Sequence, residues 1–306
     1  MRVCAVIVAY HADSAVLQQL VEVLSKRAYA VVVVDNTPQP VLTSADLPDI
    51  CVLLSMCENA GIARAQNVGI REAIALGADA VALFDQDSSP DEDLLSVLAA
   101  SLDPDLAGVV APVCFDARSG DEIPSYRIDR WGLPRKVFAA GAPEAVSVDL
   151  VIASGSVVTS RTFAQAGFMD DDLFIDYVDF EWCLRCRSSN VPIRIIPAAT
   201  MRHSIGERLV DLVAFGGVIH SAARSYYKIR NCFHLFRRSS VPRLYAVREF
   251  TTAFVQYAAM LPFVRQPSTY LLEFWHAIRD GLKGVTGPNP ATRDPQHRAS
   301  VNGNHQ

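Results

Sequence analysis

Ala80-Val-Ala-Leu-Phe-Asp85-Gln-Asp87-Ser88 decides the fold class of this 306-residue chain. Residues 80–84 are a short apolar run that reads as a buried strand. Two carboxylates two positions apart follow it at once. Before it, residues 60–76 have helical spacing and stop at Gly77. Cys51 to Ser55 reads as a short strand, and Ala30 to Val34 as a β-branched one ended by Asp35-Asn36-Thr37-Pro38. Residues 14–27 place Val16, Leu17, Leu20, Val23 and Leu24 on one helical face. Val3 to Ala9 is another continuous apolar run. Strands alternating with helices across short turns predict right-handed crossovers and a mostly parallel, Rossmann-like sheet flanked by helices: an α/β fold.

Toward the C-terminus the rhythm loosens. Ala107 to Pro112 reads as a strand, residues 117–145 as loop, and residues 146–159 as apolar and β-branched around Ser154-Gly155-Ser156. Residues 161–167 fit a short helix. Acids then crowd the start of a helix running to about Ser189, and residues 191–196 form a strand. Past about residue 206 the alternation stops. Residues 209–219 are apolar, 220–238 basic and aromatic, and 244–282 apolar with helical propensity. The chain divides into an α/β domain over 1–240, a helical extension over 241–285 and a disordered, proline-marked tail over 286–306.

Half the residues are hydrophobic and a fifth charged, which excludes global disorder. A net charge of −5 excludes a general nucleic-acid binder. Seven scattered cysteines fit reduced thiols in the cytoplasm rather than a disulfide framework. Cys183 and Cys186 form one C-x-x-C with no second pair nearby, so we read them as helix residues rather than zinc ligands. Arg248, Glu249, Arg265, Glu273 and Arg279 interrupt the C-terminal apolar region, so no membrane-spanning helix is expected there.

Polar residues recur where the predicted strands end: His11 and Asp13, Asp35 and Asn36, Asp85 and Asp87. Strand C-termini line the ligand crevice of open α/β sheets. Asp and Asn also favour turns and caps, but their recurrence at successive strand ends favours a site. Asp85-x-Asp87 can hold a hard divalent cation, Mn2+ or Mg2+, together with diphosphate oxygens. Asp179 is a candidate general base for a hydroxyl group, and it also suits the first turn of a helix, as Asp176 does. His203, just after a predicted strand, is a candidate third metal ligand or a structural histidine.

Val6 to Tyr10, Val34-Asp35-Asn36, Glu58 to Gly69, Phe84 to Ser88 and Leu173 to Arg185 together resemble glycosyltransferase family 2, and more narrowly its bacterial rhamnosyltransferase branch. The resemblance spans about residues 3 to 238. It implies a GT-A fold and inverting, metal-assisted sugar transfer. It also implies a nucleotide-sugar donor, dTDP-L-rhamnose, and a saccharide or lipid-linked saccharide acceptor in cell-surface polysaccharide synthesis. By resemblance Tyr10 and Asp35 line the base and ribose pocket. Asn59 to Asn67 runs beneath the nucleotide, with Arg64 near the diphosphate. Asp85 meets the ribose or metal, and Asp87 and His203 hold the metal. Asp179 is the base, although Val178 stands where the family often has an acid, which leaves Asp176 as a second candidate. Ser154 and Gly155 precede the acceptor site, and Glu181 and Trp182 support or contact the acceptor. Residues 224–231 match the branch's Tyr-x-x-Arg-Asn stretch, giving Arg230 and Lys228 the diphosphate or, alternatively, a solvated helix face. The C-terminal helices suit peripheral contact with the inner face of the membrane, a packing extension or a homo-oligomer face. Other readings are a UDP-sugar-dependent hexosyl or galactofuranosyl transferase, a nucleotidyltransferase and a non-catalytic nucleotide-sugar-binding module. His11-Ala12-Asp13-Ser14 lacks the glycines of a nucleotidyltransferase phosphate loop.

Overall fold

The computed structural model describes residues 1–203, 209–212, 215–218, 221–264 and 266–293. Its first half is the expected alternation: β1 (Val3–Ala9), α1 (Ser14–Ser25), β2 (Ala30–Asp35), β3 (Cys51–Ser55), α2 (Ile62–Ala75) and β4 (Ala80–Asp85). β1 lies at the centre, parallel to β2 and β4, and β3 is parallel to β2. Asp35 pairs with Ala9 and Asp85 with Val8, so three strands end level with one another. This register brings Tyr10, Asp35 and Asp85 to one edge.

Alternate residues of these strands face opposite layers. Val6, Val8, Val32, Val34, Val81 and Leu83 pack on the side of α2. Ala5, Ile7, Val31, Val33, Ala82 and Phe84 pack against Leu17, Leu20 and Leu24 of α1. α2 sits very close to β1, because a Cβ at Gly69 would stand 2.3 Å from Val6 Cγ1.

The second half is less regular. A two-residue strand, β5 (Ser89–Pro90), precedes α3 (Leu94–Ala100) and β6 (Val109–Asp116). A hairpin of β7 (Ser125–Ile128) and β8 (Pro134–Val137) stands off the main sheet. β9 (Val146–Val148), β10 (Val157–Thr159), α4 (Ser160–Ala166), α5 (Val178–Ser188) and β11 (Ile193–His203) complete the layer. The sheet order is β3-β2-β1-β4-β10-β6-β11-β5, with β9 also on β11. β10 is antiparallel to both neighbours, so the sheet is mixed. β11 extends seven residues past the strand predicted to end at 196. It continues through a register shift between Ile196 and Thr200 to reach His203. β5 pairs with it, Ser89 opposite Arg202, and that pairing brings the turn after β4 to His203.

β12 (Leu209–Leu212) and β13 (Phe215–Val218) form an antiparallel pair. Four helices follow: α6 (Ala222–Leu235), α7 (Arg243–Met260), α8 (Pro267–Lys283) and α9 (Pro290–Arg293). The helical run predicted over 244–282 is broken near Pro262 and restarts at Pro267, at the first helical position that proline favours. α6, α7 and α8 share an aromatic core, with Phe250 on Phe254 at 4.3 Å and Tyr257 on Phe274 at 4.3 Å. This core includes Phe174 of the α/β layer, so the helices are continuous with that layer. The segment expected to begin the disordered tail is partly folded. Asn289 is buried, its amide donates to Glu273, and its N–H donates to the Tyr227 hydroxyl. Residues 294–306 lie outside the described residues. No helix among the described residues is long and apolar enough to cross a membrane.

Candidate active site

Side chains from separate turns lock the strand-end edge together. The Tyr10 N–H donates to Gln86 Oε1 at 2.6 Å, and Gln86 Nε2 donates back to the Tyr10 carbonyl at 3.2 Å. The residue between the two acids thus ties the β4 turn to the end of β1. Tyr10 itself stays 43% exposed, a ring free to face a ligand. Asp35 is buried and accepts the Thr37 N–H at 3.0 Å, closing the turn after β2. Asn36 accepts the Ala60 N–H at 2.8 Å and donates to Asn59, whose own oxygen accepts the Gly61 N–H. Asn59 is thereby a connector between β2 and α2. Arg64 is exposed on α2, 3.7 Å from Glu58.

Asp85, Asp87 and His203 each present a ligand atom, all within 4.8 Å of one another. His203 Nε2 lies 3.7 Å from Asp85, and Nδ1 lies 4.0 Å from Asp87. His203 Nδ1 is buried with no hydrogen-bond partner, an arrangement that costs stability unless something fills it. Two carboxylates and an imidazole fit Mn2+ or Mg2+. The Asp85 carboxyl is pushed up by burial and by Asp87, against the pull of His203 and Arg224. A bound cation would reverse that push.

Ser154 holds the turn that carries these acids. Its Oγ accepts the Asp85 N–H at 3.2 Å and lies 2.6 Å from Ser88 Oγ. Gly155, at φ 81°, packs where a Cβ would meet Met201 at 2.9 Å. Both are buried behind the acidic turn, so their part is to support it.

Asp179 stands in the first turn of α5, after a loop with unusual backbone. Phe174, Asp176 and Tyr177 all have φ near 65°. Left-handed conformations cost such residues on the order of 1–3 kcal/mol each unless the surroundings impose them. Here the surroundings do. The Phe174 carbonyl accepts the Ile62 N–H at the start of α2. A Cβ at Gly61 would come within 2.6 Å of that same oxygen, so only glycine admits this approach. Asn67 Nδ2 donates to the Met169 carbonyl and to Asp171, and its Oδ1 accepts the Met169 N–H. Asn231 Nδ2 donates to the Leu173 and Ile175 carbonyls at 2.8 and 2.7 Å. Arg230 donates to the carbonyls of Asp172, Leu173 and Gly287. The Phe174 ring stacks on Tyr227 at 4.5 Å.

Arg230 and Asn67 are therefore staples of this loop. Arg230 is fully buried with its donors spent on carbonyls, which corrects the diphosphate role assigned to it. Asn67, 1% exposed, is likewise spent on the loop. Lys228, its companion in that reading, donates to Gln256 at 3.0 Å. Glu181 is also buried, gripped by Arg185 Nε at 2.9 Å, and Trp182 donates to the Gly167 carbonyl at 2.9 Å. Both face the core between α4 and α5. Their place in the site is therefore to support α5 from behind.

Asp179 itself accepts the Phe180 N–H at 2.9 Å. Its carboxyl is pushed up to about 6, first by burial and then by the nearby charges of Asp85 and Asp176. A carboxylate with that value is well matched to accepting a hydroxyl proton near neutral pH. Asp176, the second candidate, is committed to Arg224 at 3.0 Å. Cys183 and Cys186 are buried free thiols on α5, pushed up mainly by burial. Sequence reasoning missed Gln86, Gly61 and Asn231 as parts of the site's frame. For Asn231 the signal was its adjacency to Arg230. Nothing in the local sequence marks Gln86.

The model of the Glycosyl transferase family 2 family matches residues 4–146. Over 285 residues the chain is 34% identical to the dTDP-rhamnosyl transferase RfbF of Shigella flexneri, covering 92% of this chain and 96% of that protein. Among solved structures, S. aureus TarS 1–349 in complex with UDP-GlcNAc aligns with a TM-score of 0.56 at 12% identity, over 99% of this chain and 88% of that one. GalNAc-T7 with UDP, GalNAc and Mn2+ aligns with a TM-score of 0.56 at 14% identity, over 67% of this chain and 43% of that longer one. At such identities these two likenesses concern the fold.

Proposed function

The chain belongs to glycosyltransferase family 2, and from that premise we propose that it transfers L-rhamnose from dTDP-L-rhamnose, with inversion, to a saccharide or lipid-linked saccharide. The observation that carries this reading is the Asp85, Asp87 and His203 cluster at the strand-end crevice beside Asp179. The dTDP donor follows the 34% identical relative. Asp87 and His203, with Asp85, would hold Mn2+ or Mg2+, which when bound neutralises charge on the departing diphosphate.

The chain's own residues do the rest. Tyr10 presents its ring at the crevice, and the buried Asp35 shapes the turn that bounds the nucleoside. Arg64 is the exposed cation of α2 nearest this edge, and it supplies positive charge toward the diphosphate. Asp179 accepts the proton of the acceptor hydroxyl as that oxygen bonds to the anomeric carbon and the carbon–phosphate oxygen bond breaks. Attack from the face opposite the nucleotide inverts the anomeric centre. The protein acts in cell-surface polysaccharide synthesis on the cytoplasmic side. The exposed Leu271, Leu272 and Trp275 of α8 would meet the membrane surface.

The test is thermal stabilisation by dTDP, UDP, GDP and CMP, each with Mn2+, Mg2+ or chelator. A ligand that binds only the folded state raises the melting temperature by mass action. Metal-dependent stabilisation by dTDP above the others is expected. A preference for UDP would replace the donor, and no shift with any nucleotide would overturn the transferase reading.

A further inference from the structure

A half-open cleft of about 190 Å3 is lined by Phe180, the residue after Asp179, and none of its lining comes from the strand ends that form the nucleotide crevice. Tyr177 and Phe180, the residues flanking the Val178-Asp179 pair, form one wall. Tyr126 of the β7–β8 hairpin and Tyr245 of α7 complete the aromatic lining. The Tyr126 ring meets Phe180 edge to face at 5.9 Å. The space is large enough to admit a sugar ring.

The polar groups converge from the helices. Glu249 lies in the cavity paired to Arg248, and burial pushes its carboxyl up against the pull of that arginine. Thr252 adds a hydroxyl, Lys228 an ammonium and Gln256 an amide already oriented by Lys228. Aromatic faces interleaved with hydrogen-bonding groups match a pyranose, which has apolar C–H faces and a rim of hydroxyls. Asp179 precedes Phe180 of the lining, and its carboxyl is near enough to Asp85 and to Tyr245 for its charge to act on both.

We propose that this cavity seats one pyranose ring of the acceptor saccharide, stacked among Tyr126, Tyr177 and Phe180 and held through its hydroxyls by Glu249, Thr252 and Gln256. The assignment rests on the transferase reading above. It makes the C-terminal helices part of acceptor selection, since α7 supplies most of the polar lining. The charged pair Arg248–Glu249 and the hairpin are the elements that would discriminate between sugars.

The experiment is saturation-transfer NMR with the full chain, dTDP and Mg2+, using methyl glycosides of glucose, galactose, rhamnose and N-acetylglucosamine as probes. At least one glycoside is expected to bind. Thr252→Trp, which fills the cavity, should weaken that binding by about tenfold or more, equivalent to ~1.4 kcal/mol. Tyr126→Ala should weaken it as well, and it decides the matter if Thr252→Trp fails to fold. Stabilisation by dTDP should be unchanged in both variants. Glycoside binding that survives both substitutions at full strength, or that no glycoside shows with the unaltered protein, overturns the acceptor assignment. Loss of the dTDP shift in the unaltered protein is a separate result and overturns the donor reading instead.

Discussion

On the strand-end wall, Asp85, Asp87 and His203 gather with one imidazole nitrogen left without a partner. In the loop over residues 169–177, Asn67, Arg230 and Asn231 spend their donors on backbone carbonyls. The same residue types serve opposite ends. The difference is whether the backbone nearby has already satisfied itself. At the strand ends Gln86 and Ser154 cap the backbone groups that the sheet leaves unpaired, so the acids and the imidazole are released for a ligand. A loop forced through left-handed conformations leaves carbonyls bare and buried, and the nearest amide or guanidinium is drawn in to cover them.

The sharpest way to test this division is at the residue that bridges it. Asp179→Asn should lower transfer by about 10²- to 10⁴-fold, the usual worth of a positioned base. It should leave dTDP binding nearly intact, measured by titration calorimetry. For the unaltered protein, transfer should rise as pH increases through about 6, as Asp179 loses its proton. Stability should move the other way. The folded carboxyl holds its proton up to about 6, against an ordinary value of 3.8, so between these values the folded state binds more protons than the unfolded one. Rising pH therefore removes stability across that window, by up to about 3 kcal/mol at neutrality. Asp179→Asn should accordingly raise the melting temperature at pH 7.5 in chelator and not at pH 3. Near-normal turnover would break the assignment.

Next in size is the loop wall. Arg230→Lys keeps the charge but loses the planar fork that reaches several carbonyls at once. Leaving buried carbonyls unpaired costs roughly 1–3 kcal/mol each, so a loss of about 2–4 kcal/mol in denaturant unfolding is expected. The affinity of the folded protein for dTDP should not change. A tenfold weaker affinity with stability preserved would return Arg230 to the diphosphate and erase the contrast between the two walls.

The sheet was largely legible because short apolar runs and polar strand ends are local signals. β1 to β4 match their expected spans to within a residue. The meeting of Asp87 with His203 was less so. It depends on the long β11, its register shift and the two-residue β5, all products of pairing between segments 84 to 113 residues apart. The buried fate of Glu181, Trp182 and Arg230 was not legible either. A charged or aromatic residue in a motif looks the same in sequence whether it touches a ligand or braces the backbone that does. The ordered placement of Asn289 was hidden for a like reason. Pro288, Asn289 and Pro290 suggest disorder until Tyr227 and Glu273 are in place to pair with Asn289.

Ser154 crosses the division from the other direction, as a staple set within the ligand wall. Its hydroxyl accepts the Asp85 N–H and meets Ser88, so it fixes both ends of the acidic turn. Ser154→Ala removes no ligand atom and leaves the Asp85 N–H buried without that acceptor. The expected loss of stability is about 1 kcal/mol, the typical net worth of such a bond. Metal affinity should fall by no more than about tenfold, since supporting groups of this kind usually cost tenfold or more only when they hold the ligand side chain itself. Measured with Mn2+ by calorimetry, the result sharpens the comparison. A small change says that Asp85 and Asp87 are placed mainly by the β5–β11 pairing. A large one says that the strand-end wall needs its own staples as much as the loop does, and that the two walls differ in where the ligand enters rather than in how they are built.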